Sequence, residues 1–368
     1  MNGNMTVMWS ITSRCNFRCR HCCVKAGASG IDAPRSTCNR VIAELLENNI
    51  QNLVLTGGEC FFHSEFADIV GELTRRNIIV RGVLTNASMI TPETLEAILK
   101  NNPKVWFQVS FDGIGYHDII RGVKGAEELT LSGIKKLVAC GIRVQVTSSI
   151  CKDNLSLIPQ TLMMMDDMHV QRILFSRILR KGSWLDSPPE KDVSLYEFYD
   201  FGRNLLTEYF KRCRTIELLY GIGYRASVMS QTLRFPYIKP IKVGQQETCG
   251  VCSSIYISTD GDVMPCSSFD GIWGAHPELN IINHKLAQIL KTEPLSGVRC
   301  YKVKDIHSKN ESCLTCSHKS ICNGGCRALS YATNKDLCGI GEETCYLHKS
   351  SFKDNVSSLI EVLNPRVH

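Results

Sequence analysis

Nineteen cysteines punctuate the 368-residue chain, and their spacing is the first chemistry it offers. Cys15, Cys19 and Cys22 form C-x3-C-x2-C. Thiolates suit soft metal sites, and this spacing lets one loop wrap three corners of a [4Fe–4S] cube, leaving the fourth iron open to an outside ligand. Structural zinc wants four closed ligands, and no fourth donor has the usual spacing, although His21 and Cys23 stand nearby. At this cysteine content the triplet alone is close to chance, so it needs support. A second group, Cys313, Cys316, Cys322 and Cys326, forms the rarer C-x2-C-x5-C-x3-C. Cys249, Cys252 and a G-x4-C ending at Cys266 precede it, and Cys338 and Cys345 follow. An odd cysteine count in a large chain argues against a disulfide framework and for metal or redox chemistry. On spacing alone a zinc ribbon stays open for the second group.

The elements that must position these residues alternate along the first half. Strands are expected at Thr6–Thr12, Asn52–Thr56, Ile78–Leu84, Val105–Phe111, Ile142–Ile150 and Gln171–Phe175. Helices are expected at Arg35–Asn49, Glu65–Arg76, Pro92–Leu99, Glu127–Cys140 and Leu157–Met165, the first with Val41, Ile42, Leu45 and Leu46 on one face. Six β/α repeats predict an α/β fold, a parallel sheet wound as a partial barrel, with ligands at the C-terminal ends of the strands. The polar signatures fall at those ends. Leu195–Arg212 reads as a helix in a region, 186–245, expected to bridge two domains. After Cys249 helical periodicity fades, Gly and Cys interrupt short segments, and the fold is expected to depend on metal. A final helix fits Ser350–Leu363, before Pro365.

Composition sets outer limits. Hydrophobic residues are 43% and charged residues 21%, an ordinary globular balance. The net charge of +6 is scattered, so no nucleic-acid partner is implied. With neither a signal-like start nor a membrane-length apolar run, a cytoplasmic protein with no membrane partner is expected.

The C-x3-C-x2-C after the first strand resembles the signature of the radical S-adenosylmethionine (SAM) superfamily, here with His21 before the last cysteine. Gly57-Gly58-Glu59 after the second strand resembles its GGE motif, and Asn86, Ser110 and Asp112 stand at the next strand ends. The resemblance implies that SAM chelates the open iron. One electron, from a reducing partner such as flavodoxin or ferredoxin, then cleaves it to methionine and a 5′-deoxyadenosyl radical. Gly57, Gly58, Glu59, Asn86, Ser110 and Asp112 would position SAM, with Arg177 a candidate for its carboxylate. Each also has a turn, cap or surface explanation. Where members carry Pro after GGE, this chain has Cys60, either a tolerated packing residue or a thiol near the SAM pocket.

The C-terminal cysteines resemble the SPASM extension, found mostly on radical SAM enzymes that modify peptides and proteins. That resemblance implies two auxiliary [4Fe–4S] clusters, three in all: one on Cys249, Cys252, Cys266 and Cys326, the other on Cys313, Cys316, Cys322 and Cys345, with Cys338 a rival to Cys345. The expected architecture is a partial (β/α)6 TIM-like barrel (1–185), a bridging helical region (186–245), and a small Cys-rich SPASM domain ending in a helix (246–368). A peptide or small protein is the expected substrate, for cross-linking, oxidation or epimerisation. With 14 residues ahead of Cys15, a leader peptide would need another docking site or a separate binding protein. Alternatives are sulfatase-type formylglycine formation, weakened because Ser267 follows Cys266 where an Asp is usual, and small-molecule or tetrapyrrole side-chain oxidation. A multi-cluster electron carrier is the non-enzymatic alternative. No general base is named by sequence; Asp270, His117, Asp118 and Cys60 are candidates.

Overall fold

The computed structural model describes residues 5–237 and 253–363. Strands β1 (Thr6–Ser10), β2 (Asn52–Thr56), β3 (Ile79–Thr85), β4 (Trp106–Ser110), β5 (Arg143–Ile150) and β6 (Arg172–Arg177) pair in parallel, in chain order. Between them run helices α1 (Arg35–Glu47), α2 (Phe66–Arg75), α3 (Pro92–Asn101), the short α4 (His117–Arg121), α5 (Ala126–Ala139) and α6 (Ile158–Asp167). These are the six expected β/α repeats. Their order follows from alternation: along β5 every second residue is buried, and Val7, Trp9, Val80, Phe107, Val144 and Ile173 are fully enclosed. On α1, Val41, Ile42 and Leu45 face the sheet, but Leu46 is 37% exposed. The helical repeat of 3.6 residues carries it past the buried stripe.

The bridging region departs from expectation. Helix α7 (Leu195–Arg212) is present, opened by a reciprocal Ser194–Glu197 cap. It is followed by three strands, β7 (Glu217–Tyr220), β8 (Tyr224–Ser227) and β9 (Thr232–Arg234). β7 pairs in parallel with β6, and β8 and β9 fold back antiparallel. Runs of three or four residues are too short to show a period. Their register comes from a tight turn, where Gly221 takes φ +49°, and from Tyr220 stacked on Tyr224 at 5.5 Å.

At the opposite edge, β10 (Ser254–Ile257) lies parallel to β1 and forms a hairpin with β11 (Val263–Met264). An Asp-Gly turn joins the two strands, with Gly261 at φ +87°. The hairpin therefore extends the same sheet, whose order is β11-β10-β1-β2-β3-β4-β5-β6-β7-β8-β9. Past β11 only short helices follow until Phe352–Leu363, which packs Phe352 against Tyr199 and Tyr224. Among the described residues no helix is long and apolar enough to cross a membrane.

Candidate active site

The loop leaving β1 carries Cys15, Cys19 and Cys22, near enough that charge on Cys19 and Cys22 opposes ionisation of Cys15. Burial, the larger cause, pushes Cys15 up to about 12 and raises Cys19 and Cys22 as well. Buried thiols that resist ionisation on their own become thiolates readily only against a metal, and three soft sulfur donors on one loop fit an iron–sulfur cluster. The sulfurs accept hydrogen bonds: Cys15 from Phe17 N at 3.4 Å, Cys19 from Arg121 Nη1 at 3.5 Å and Cys22 from Ala26 N at 3.2 Å.

The GGE turn is fastened to this loop through backbone. Gly58 N donates to Thr12 O at 2.7 Å and Glu59 N to Arg14 O at 2.9 Å. A Cβ on Gly58 would stand 2.3 Å from Arg14 O, and one on Gly57 2.5 Å from Thr12 O. Both glycines thus permit close approach to the chain's own loop. Glu59 is enclosed and accepts from Asn86 N (2.7 Å), Thr85 Oγ1 (2.8 Å) and Phe61 N (3.2 Å), while burial raises its pKa. Asn86 closes the β3 end: its Nδ2 donates to Asn16 Oδ1 at 2.9 Å, and Asn16 Nδ2 to Ser88 Oγ at 2.8 Å. Ser110 ends β4, half-buried and level with Thr147 of β5.

Asp112 is not open to a ligand hydroxyl. Its side chain has no exposure, pairs with Arg121 Nη2 at 2.6 Å and accepts from Ser149 N at 2.8 Å. Despite burial, Arg121, His21 and His117 hold its carboxyl below the usual value. Arg177, the last residue of β6, reaches Val193 O at 3.4 Å with one nitrogen, while its Nε is buried without a partner among the described residues. Thr147 Oγ1 and His21 Nδ1 are likewise buried and unpartnered. Such orphaned polar atoms, at the end of β6, within β5 and on the cysteine loop, are costly alone and fit a polar group lodged near them.

The candidates for proton transfer separate. His117 is buried, accepts from Asp112 N at Nδ1 (3.1 Å) and lies 3.2 Å from Thr130 Oγ1; burial pushes it down to about 3. Asp118 accepts from Gly125 N (2.6 Å) and Glu127 N (2.7 Å), holding the start of α5. Cys60 is enclosed, its thiol 3.6 Å from Leu84 O and driven well above its ordinary pKa by burial, so packing describes it. Asp270 differs. Its Oδ2 accepts from Tyr256 Oη at 2.6 Å, and a Cβ on the next residue, Gly271, would lie 3.0 Å from Cys23 O. The hairpin thus brings Asp270 alongside the first cysteine loop.

In the second group, charges on Cys322, Cys313 and Cys316 act on Cys345, which burial pushes up to about 11. Those four thiols lie near enough to feel one another's charge, although among the described residues no three Cys, His, Asp or Glu side chains are drawn together tightly enough to form a metal site. Cys338 instead is buried beside Lys309 and Tyr301. Cys266 is half-buried and Cys326 exposed, beside a cavity of about 1110 Å³ that Arg225, Arg234 and Tyr237 also line. Cys249 and Cys252 lie outside the described residues. Sequence alone gave no role to Arg121 or Asn16; the one available signal was Gly122 after Arg121, which takes φ +68°.

A parallel sheet whose strand ends gather a three-cysteine loop, a GGE turn and orphaned donors defines a SAM-cleaving class. Residues 9–169 match the Radical SAM superfamily, and the chain is a radical SAM enzyme, binding SAM and carrying that superfamily's iron–sulfur cluster. It is similar to the AdoMet-dependent heme synthase of Methanosarcina barkeri, 25% identical over 346 residues that cover 91% of this chain and 94% of that one. It is also similar to the subtilosin biosynthesis protein AlbA of Bacillus subtilis, 26% identical over 71% of this chain and 54% of that one. Among solved structures, anSMEcpe with bound AdoMet and Cp18Cys peptide shares the fold, with a TM-score of 0.71 at 17% identity over 98% of this chain and 99% of that one.

Proposed function

We propose that the chain abstracts a hydrogen atom from a carbon of a peptide substrate, as a maturase with three [4Fe–4S] clusters. Cys15, Cys19 and Cys22 would hold the radical-generating cluster. That cluster, given one electron by a reductant, would supply reductive cleavage of bound SAM to methionine and a 5′-deoxyadenosyl radical. The three-cysteine loop, whose thiols act on one another electrostatically, together with the unpartnered Arg177, Thr147 and His21, supports this assignment. Arg177 and Thr147 would meet polar atoms of SAM, and Ser110 lines the same rim. Gly57, Gly58 and Glu59 shape the β2 turn against the cysteine loop, and Asn86 holds that loop to β3. Asp112 acts through Arg121 rather than by touching the cofactor. Asp270, supported by Tyr256, is the group best placed to take a proton from substrate.

Cys313, Cys316, Cys322 and Cys345 would hold one auxiliary cluster, and Cys266 and Cys326 with Cys249 and Cys252 the other. Four-cysteine ligation leaves no open iron, which favours an electron-accepting role. The partition into 1–185, 186–245 and 246–368, a cytoplasmic setting and a flavodoxin- or ferredoxin-like reductant belong to this proposal. Similarity to AlbA supports a peptide. A second substrate, a tetrapyrrole side chain, is favoured by the heme synthase, which aligns over nearly the whole of both chains.

Anaerobically purified protein should contain about twelve iron atoms per chain if three cubane clusters are present. With SAM and dithionite it should form 5′-deoxyadenosine, and Cys19→Ala should abolish this; retained cleavage would overturn the ligand assignment. Deuterated candidate peptides and iron-coproporphyrin then compete. Deuterium in deoxyadenosine from the porphyrin and from no peptide would replace the peptide proposal with the second substrate.

A further inference from the structure

The three sulfurs of the first cysteine loop are not treated alike. Cys15 and Cys22 accept from backbone N–H groups, which carry partial charge. Cys19 accepts from the guanidinium of Arg121, which carries a full one. Charge-assisted hydrogen bonds are about twice as strong as neutral ones.

Arg121 is held in place from several sides. Its side chain is 7% exposed and its Nη2 lies 2.6 Å from Asp112 Oδ2. Its carbonyl accepts from Arg18 N at 2.9 Å, and the preceding carbonyl, of Ile120, accepts from Arg20 N at 2.8 Å. These two bonds dock α4 onto the cysteine loop. Gly122 makes the fit possible, since a Cβ there would stand 2.4 Å from Arg18 O. Asp112 is fixed by Ser149 N, and its own N–H donates to His117 Nδ1. His117 in turn meets Thr130, whose hydroxyl donates to Asn86 O at 2.9 Å. Burying a charged pair is costly, and well-packed apolar residues often serve stability as well. A pair kept here, ending on a sulfur, calls for a reason beyond folding.

We propose that Arg121 is a positioning residue that raises the reduction potential of the cluster on Cys15, Cys19 and Cys22 by donating to Cys19 Sγ. Asp112 aims the guanidinium and moderates its charge. Reduction adds negative charge to the cluster, so a cation on a ligand sulfur favours the reduced form, and hydrogen bonds to sulfur are among the known controls of such potentials. The inference rests on the proposed cluster assignment.

The test is an EPR-monitored redox titration of the holoenzyme, following the reduced-cluster signal that changes when SAM is added. Arg121→Met should shift the reduction equilibrium about tenfold toward the oxidised form, 59 mV lower for a one-electron couple. Asp112→Asn should move it in the opposite direction, and Arg121→Lys should recover part of the loss. Opposite signs from two partners of one ion pair are not expected of general structural damage. Should Arg121→Met fail to retain iron, Asp112→Asn and Arg121→Lys still read the potential. Unchanged potentials, or shifts of one sign, in iron-replete variants would overturn this proposal alone. Absence of any SAM-responsive signal in the unsubstituted protein would overturn the cluster assignment instead.

Discussion

The two described cysteine groups are built on different supports. Cys15, Cys19 and Cys22 sit on a loop tied to β1, to the GGE turn, to α4 and to Asn86, all resting on an extended apolar core. Cys313, Cys316, Cys322 and Cys345 sit among helices of four to eight residues: Val303–Lys309, Glu311–Leu314, Arg327–Asn334 and Glu342–Lys349. Helices that short are marginal without tertiary support. One anchor stands out, Arg327, which is fully buried and donates to the carbonyls of Leu337 and Gly339 at 2.9 Å each. The first group is therefore tied into the barrel, whereas the second has less support from secondary structure of its own.

Iron removal should break the protein along that line. After anaerobic chelation, backbone amides across 303–349 should lose most of their hydrogen-exchange protection, while β1 to β6 keep theirs. Metal binding to such a segment is folding free energy, and apparent values of about 10–16 kcal/mol are known for small zinc sites. Equal loss in both regions would mean that the two supports do not differ.

A smaller effect sharpens the same contrast within the second group. Cys345→Ala should remove one cluster, about four iron atoms. Cys338→Ala should leave iron content unchanged and cost only packing, because that thiol lies beside Lys309 and Tyr301 rather than among the mutually interacting sulfurs. Iron lost from Cys338→Ala and retained by Cys345→Ala would reverse the assignment.

Legibility in the sequence followed the same division. The six repeats could be read to within a residue or two because short β-rich runs alternate with helices that carry an apolar stripe. The strands β7, β8 and β9 could not, since Glu217–Tyr220 and its neighbours gain their state from pairing with an edge that only the folded barrel provides. Within the site, residue type pointed to the strand ends but not to the chain's own partners there. Glu59 and Asp112 sit at strand ends as expected, yet their described hydrogen bonds and ion pairs are with the chain itself. Spacing reveals that a carboxylate is near a loop; it does not say that an arginine nine residues on will claim it. Cys60 could be read either as a packing residue or as a thiol near the pocket, and its burial places it in the core.

The smallest effect concerns the barrel side, where the frame should withstand changes that leave the thiols alone. Asp166, at the end of α6, accepts from the N–H groups of Arg214 (2.7 Å), Thr215 (3.0 Å) and Ile216 (2.9 Å), and from Thr215 Oγ1 at 2.9 Å. It thereby pins the turn that launches β7. Burial opposes ionisation, but these donors outweigh it and hold the carboxyl below its ordinary value. A depressed folded-state pKa contributes stability above the unfolded value of about 3.9, and the contribution is lost as pH falls through the folded one. Asp166→Ala should therefore cost about 1–3 kcal/mol at pH 7 by removing these bonds and stranding the buried N–H of Ile216. In urea unfolding of the iron-loaded protein, the gap between the two proteins should narrow as pH drops from about 5 toward 3, the range in which a native-bonded carboxylate regains its proton. A gap that stays constant would mean the turn is held by packing alone, and β7 would then owe its place to Tyr220 and its aromatic neighbours rather than to this carboxylate.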